Sequence, residues 1–205
     1  MKLLGHFFLN VENMDEGYIL WNGTESYYKK LRAAYLDVLH GKETDYLNFA
    51  FFTLCAATLE YSLNFTLTSF CLSDFGMDNY KRYAEGYITI PFAKKLLLTP
   101  TIISNGKLKF KENNSSYKNL VELISLRNKI LHNKEFLKEY NFRDTDKPNT
   151  KEEVNLKIEI EPNHIDRLTK ELCIQFGKSL GDFKKYIMDP SIDHNLSENK
   201  MLCAI

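Results

Sequence analysis

The chain has 205 residues, of which 44% are hydrophobic and 26% are charged, a composition typical of one globular domain that buries an ordinary core. Its 27 basic residues balance its 27 acidic residues, so the formal net charge is +0. This neutrality excludes a long-range field that would attract nucleic acid or an anionic membrane, and any contact with nucleic acid must be local. The four cysteines form no CxxC pair, and the N-terminal segment lacks the features of a signal peptide, so we expect reduced thiols and a cytoplasmic protein.

Two helices are predicted in the first third of the chain. Residues 24–39 place apolar side chains at helical spacing, and Gly41 follows them as a stop signal. The run from Thr44 to about Phe75 is apolar around nearly its whole circumference. It predicts a central buried helix that is capped by Thr44 and broken near Ser69.

The length of this apolar run also raises the alternative of a membrane span, which needs about 20 predominantly apolar residues. Glu60 lies in the middle of the run, with Asn48 and Asn64 on either side, and no basic cluster flanks its ends. An acidic residue at that depth is costly in a membrane, so we favour a buried helix and expect no contact with a membrane.

The middle of the chain is punctuated by prolines and by a turn. Residues 78–98 have a helical pattern that Pro91 should interrupt and Pro100 should close. Asn105 and Gly106 then form a turn signal. After this turn, lysines alternate with apolar residues over 107–111, which fits a loop, a short strand or a small hairpin.

The second half is predicted to contain two more helices. One starts at Tyr117, is capped by Ser115 or Ser116, and continues to about Tyr140. Residues 154–160 alternate as a strand would, and Pro162 opens a last helix that ends at about Met188. The predicted fold class is therefore all-α, an antiparallel helical bundle over 1–190, with a small strand pair at about 107–111 and 154–160 as an optional addition. Residues 191–205 are predicted to be a polar, loosely ordered tail.

Arg127 stands out because it falls near the middle of the apolar arc of its predicted helix. An isolated buried guanidinium is prohibitively costly, so Arg127 needs an acid, a bound anion or an interface. Asn128 and His132 are four residues apart and should lie on one helix face, at the border of this arc. Arginine neutralises phosphate, histidine moves protons near neutral pH, and an amide can position either one. The three side chains are thus a sensible set for binding or cleaving a phosphodiester.

The segment LRNKILH, from Leu126 to His132, resembles the signature of the HEPN superfamily, in which an arginine and a polar residue precede a histidine after a short gap. Glu60, in AATLEYSLN, also looks like the acid on an earlier helix of several members. The resemblance covers about 24–140. It implies a helical bundle that dimerises so that two motifs face each other across a cleft.

Many HEPN proteins are metal-independent endoribonucleases of toxin–antitoxin, abortive-infection or RNA-processing systems. The resemblance therefore implies Arg127 and His132 as catalytic residues, with Asn128 and Glu60 in support. It also implies a homodimer with RNA as its substrate, and a cognate antitoxin or a neighbouring defence protein as a partner. No cofactor is expected and no metal is required, because the chain has no HExxH motif, no paired cysteines and no evident carboxylate cluster.

Less specific alternatives remain open for each of these residues. Arg127 could form a structural salt bridge, with Glu60 as the candidate acid, and His132 could be a helix histidine without a function. A helical dimer that is catalytically silent and binds a protein or a nucleotide is the alternative to the enzyme. We favour the interpretation that the four other histidines have no catalytic or binding role; these are His6, His40, His164 and His194.

Several lysines could line a path for RNA. Lys129 lies within the motif, Lys107 and Lys109 precede it together with Lys111, and Lys94 and Lys95 lie further upstream, while Phe110 or Tyr117 could stack on bases. Because the chain is neutral overall, a solvated loop is the favoured interpretation of this lysine-rich segment.

Overall fold

The computed structural model describes five stretches of the chain: residues 5–9, 17–21, 23–131, 165–188 and 199–205. For 5–9, 17–21 and Leu131 the description covers the backbone alone. Within these residues the chain forms five helices, namely α1 (Thr24–His40), α2 (Asp45–Ile88), α3 (Phe92–Ile103), α4 (Ser115–Leu131) and α5 (Lys170–Ile187). The described part of the chain is thus mostly helical, as predicted.

Two small antiparallel sheets accompany the helices. Strands β1 (Gly5–Leu9) and β2 (Gly17–Trp21) pair with each other, with Gly5 opposite Trp21. Strands β3 (Leu108–Phe110) and β4 (Leu202–Ala204) form the second pair, with Leu108 opposite Ala204. The strand predicted within 107–111 is therefore confirmed. Its partner is the end of the chain, whereas the partner suggested from the sequence, 154–160, lies outside the described residues.

The hydrophobic core surrounds α2, which contacts each of the other four described helices. Its largest fully buried side chains come from α2, α3, α4 and α5, and they include Phe51, Leu59, Leu96, Leu123 and Phe176. Of the helices within the described residues, none is both long enough and apolar enough to cross a membrane.

The two ends of α1 and the start of α2 lie within one residue of their predicted positions. The N–H of Gly41 donates to the carbonyl of Asp37 where α1 ends. The Thr44 hydroxyl accepts a hydrogen bond from the N–H of Leu47 at 3.2 Å, so the predicted cap is confirmed. The apolar circumference of α2 predicted its burial, and Phe52, Cys55 and Leu59 are fully buried there.

The break in α2 is at Gly76 and not at Ser69, where the sequence placed it. Gly76 has φ 70° and ψ 176°, a conformation that a residue with a Cβ rarely adopts, and the chain is helical on both sides of it. Residues 77–88 therefore continue α2 after the kink. Most of their side chains are exposed, although Ala84 is buried.

Pro91 and Pro100 have different roles in α3. Pro91 immediately precedes the helix, which confirms the predicted interruption. Pro100 lies inside the helix, so the prediction that it closes α3 is wrong. It occurs near the C-terminal end, where its missing N–H costs the helix only one of its last hydrogen bonds, and α3 continues to Ile103.

The helix starts in the second half also differ from the prediction. At the start of α4, the side chain that accepts from the N–H of Tyr117, at 2.7 Å, belongs to Asn114 and not to Ser115 or Ser116. The described part of α4 ends at Leu131, and the predicted continuation to Tyr140 lies outside the described residues. The last helix begins at Lys170, where Thr169 caps it by accepting from the N–H of Leu172. Residues 165–169 are not helical, so the predicted helix is shorter at its start, and Pro162 itself lies outside the described residues.

The prediction of a loosely held tail is wrong for residues 199–205. Met201 and Leu202 are buried, and the side-chain oxygen of Asn199 accepts from the N–H groups of both, at 2.9 Å each. The Asn199 amide also donates to the carbonyl of Tyr186 at the end of α5. This part of the tail is therefore fixed against α5 and β3 by its own polar residue. Residues 189–198 lie outside the described residues.

Candidate functional site

Glu60, Phe92, Arg127 and Asn128 come together where three helices meet, and we refer to them as the Arg127 cluster. Arg127 is in the last described turns of α4, Glu60 is in α2 before the kink, and Phe92 begins α3. The carbon at the centre of the guanidinium lies 5.7 Å from the centroid of the Phe92 ring, within the range of a cation–π contact.

The ion pair suggested between Arg127 and Glu60 is confirmed. Arg127 Nη2 lies 3.5 Å from Glu60 Oε2. The sequence placed Arg127 near the middle of an apolar arc, but its side chain is 22% exposed and that of Glu60 is 40% exposed. The guanidinium thus lies at the rim of the core, because its long aliphatic stem carries the charged end past the buried Leu123 and Ile124.

Asn128 faces the guanidinium of its neighbour. Its Oδ1 accepts a hydrogen bond from Arg127 Nη1 at 3.1 Å. The amide oxygen and the Glu60 carboxylate therefore contact the two terminal nitrogens of one guanidinium, and they constrain where its plane lies. His132, the other predicted catalytic residue, lies outside the described residues.

Lys95 is a member of this region whose position the sequence analysis missed. It was considered as part of a path for RNA, but only 3% of it is exposed. Its Nζ donates to Asn64 Oδ1 and to the carbonyl of Ile88, each at 2.7 Å. Burial lowers the pKa of Lys95, and the charge of Glu60 acts in the opposite direction. The spacing of Lys95 from Phe92, Leu96 and Thr99, all on the buried face of α3, is the sequence signal that could have revealed it.

Lys107 and Lys109, which lie before and within β3, are not close to Arg127. Phe110 stacks on Tyr117 in the first turns of α4, with ring centroids 4.5 Å apart. Tyr117 and Arg127 are separated by ten residues of helix, or about 15 Å. Lys107 and Lys109 are exposed at that far end of α4, so the structure does not bring them to the Arg127 cluster.

The remaining side chains considered for RNA contact have varied positions. Lys111 donates to the carbonyl of Asn199 at 2.8 Å, and Phe110 is buried, so neither is displayed for a base or a phosphate. Lys129 is exposed on α4, but residues two apart on a helix do not face each other. Lys94 is exposed on α3.

No group of three or more histidine, cysteine, aspartate or glutamate residues that could hold a metal ion occurs in the described part of the chain. An open depression of about 480 Å³ lies beside β3 and β4, where Lys109, Lys111, Glu112 and Cys203 line it. It belongs to the β3 end of α4 and is separate from the Arg127 cluster. His40 is exposed at the end of α1, and His164 and His194 lie outside the described residues.

Comparison of this chain with models of protein families, with curated proteins and with solved structures found no match. The resemblance to the HEPN superfamily is therefore carried by the motif residues themselves and by the helical setting of Arg127 and Asn128.

Proposed function

We propose that this protein is a metal-independent endoribonuclease of HEPN type that cleaves single-stranded RNA. The observation that carries the proposal is the Arg127 cluster. Two of the residues selected from the sequence, Glu60 and Asn128, each contact the partly exposed guanidinium of a third, Arg127. An arginine held in this way can meet a phosphate with little loss of side-chain entropy.

The proposed reaction is an attack of the ribose 2′-hydroxyl on the adjacent phosphorus. The new bond from O2′ to phosphorus forms while the bond to the 5′-oxygen breaks, which leaves a 2′,3′-cyclic phosphate and a free 5′-hydroxyl. His132 would take the proton from the 2′-hydroxyl or give one to the leaving oxygen. Arg127 would stabilise the negative charge that builds on the non-bridging oxygens.

The supporting residues restrict the guanidinium without removing it from solvent. Glu60 and Phe92 hold it from the α2 and α3 sides, and Asn128 contacts it along α4. A charge that is oriented before substrate binds costs no reorganisation during the reaction. The active form is proposed to be a homodimer, in which two motifs share one RNA-binding cleft, and an antitoxin or a neighbouring defence protein is its proposed regulator.

Incubation of the purified protein with RNA in the presence of EDTA tests the proposal. The wild type should cut RNA and leave cyclic-phosphate ends. Arg127→Ala and His132→Ala should each lower the rate about 100-fold or more, since each removes a group that acts in the transition state. Arg127→Lys should recover only part of the rate, because an ammonium cannot form a bidentate contact with phosphate.

Two exposed residues of α1 supply matched controls, since Arg32→Ala and His40→Ala remove the same side-chain types from a different helix. Both variants should cut at the wild-type rate. Cleavage by Arg127→Ala and His132→Ala at that same rate would contradict the proposed function.

The second candidate function is a HEPN-like helical dimer that binds a protein or a nucleotide without catalysis. The pairing of Arg127 with Glu60 favours it, since this contact also suits a purely structural arginine. A wild-type protein that binds RNA or nucleotide but leaves RNA intact would select this function.

A further inference from the structure

Lys95 is a buried lysine, and the positive charge of a buried ammonium must be compensated. Its two hydrogen-bond acceptors at 2.7 Å, Asn64 Oδ1 and the Ile88 carbonyl, are both neutral. Neutral acceptors satisfy the N–H groups of an ammonium, but a buried cation also requires an opposite charge nearby.

Glu60 supplies that opposite charge. Glu60 and Asn64 are one turn apart on α2, so their side chains are neighbours on one face, and the Lys95 ammonium is bonded to Asn64. The charge of Glu60 raises the pKa of Lys95 and opposes the larger effect of burial. Glu60 therefore pairs with Arg127 at the rim and also acts electrostatically on the buried Lys95.

The distance between Glu60 and Arg127 agrees with a carboxylate that is shared. Charge-assisted hydrogen bonds between nitrogen and oxygen are about 2.7–2.9 Å long. The separation of 3.5 Å between Arg127 Nη2 and Glu60 Oε2 exceeds that range, so Glu60 holds Arg127 less tightly than such a bond would.

We propose that Lys95 is a positioning residue for the Arg127 cluster. Lys95 shares the negative charge of Glu60 with Arg127, and this sharing limits how strongly the Glu60 carboxylate competes with a phosphate for Arg127. This inference rests on the proposed function. Without the Lys95 charge, Glu60 pairs with Arg127 alone, and the guanidinium turns from the substrate toward α2.

A double-mutant cycle with Glu60 tests this role. Lys95→Met removes the charge and the donors, and Lys95→Gln removes the charge but keeps an amide donor for Asn64 or Ile88. With Glu60 present, each should lower kcat/KM for RNA cleavage about tenfold, the size expected for one weakened charge-assisted interaction. In a Glu60→Gln background the same changes should cost less than about twofold, because no carboxylate remains to hold Arg127.

The matched control is Lys81→Met, which removes an exposed lysine of α2 and should leave kcat/KM unchanged in both backgrounds. An equal loss from Lys95→Met and Lys95→Gln in both backgrounds would overturn the proposal, since it would make Lys95 a purely structural residue. Failure of both variants to fold would overturn it for the same reason.

A second measurement separates this inference from the proposed function. The NMR signal of the Arg127 Nε–Hε group, assigned through its loss in Arg127→Lys, reports the pairing of the guanidinium without any RNA. It should move in Lys95→Gln and stay in place when Glu60→Gln is also present. If the wild type leaves RNA intact, the proposed function fails, and this signal still decides whether Lys95 and Arg127 share Glu60. If the Arg127 Nε–Hε signal does not change in Lys95→Gln, the inference is wrong, even if the wild type cleaves RNA.

Discussion

At the scale of single residues, the exposure of the Arg127 ion pair determines what its removal costs the fold. With the two side chains 22% and 40% exposed, water screens the attraction between Arg127 and Glu60. Arg127→Ala should therefore lower the free energy of unfolding by only about 1 kcal/mol. Denaturation by urea checks this, and Leu123→Ala, a fully buried change on the same helix, should cost about 2–5 kcal/mol.

A loss of about 3–5 kcal/mol in Arg127→Ala would contradict this expectation, because that is the cost of orphaning one partner of a fully buried pair. Arg127→Ala is therefore a useful probe of catalysis, since most of the variant protein should remain folded in the assay.

The residues of the candidate site were predictable to different degrees. A cation between Leu123, Ile124 and Ile130 requires a partner, and this local requirement pointed to Glu60 as the candidate acid of α2. The contact of Arg127 with Phe92 and the hydrogen bond from Lys95 to Asn64 could not be inferred in the same way. They depend on how α3 packs across α2 and α4, and the bond from Lys95 to Asn64 joins residues 31 positions apart.

At the scale of elements, the kink in α2 depends on one glycine. Gly76 has φ 70°, and no atom lies within 4 Å of the position that a Cβ would take, so only the backbone conformation opposes a larger residue. Gly76→Ala should lower the free energy of unfolding by about 1–3 kcal/mol. Gly86→Ala, in the same helix and equally uncrowded, should raise it by about 0.5–1 kcal/mol, because alanine favours a regular helix.

Urea denaturation of the two variants measures both effects. The opposite signs are the informative result, since each change adds one methyl group to an exposed position of α2. Stabilisation by Gly76→Ala would contradict the assigned kink and indicate that α2 continues as one straight helix.

At the scale of the whole molecule, two thiols in the core should make stability depend on pH. Cys55 of α2 and Cys173 of α5 are fully buried. Burial raises the pKa of Cys173 from 9.0 to about 12 and raises that of Cys55 well above 9.0. Above pH 9 the unfolded chain loses these protons while the folded chain keeps them, so the free energy of unfolding falls as the pH rises. Below pH 9 this contribution is complete.

The slope should approach about 1.4 kcal/mol per pH unit for each thiol. Urea denaturation between pH 8 and pH 10 measures it, and Cys55→Ala should flatten the curve. Thr58→Ala removes a buried group of α2 that does not titrate, and it should keep the wild-type slope. A slope that Cys55→Ala leaves unchanged would contradict the expected role of this thiol.

The sequence by itself determined that helices form along most of the described residues, and it determined the caps at Thr44 and Gly41, the strand within 107–111 and the need of Arg127 for a partner. Each of these depends on residues within about one helical turn of each other, where periodicity and capping act. Only the tertiary structure decided that β3 pairs with β4, that Asn199 fixes residues 199–205 and that Lys95 bonds to Asn64 of α2. Those outcomes join distant residues, such as Lys111 and Asn199, which are 88 positions apart, and short segments do not specify which distant partner buries them.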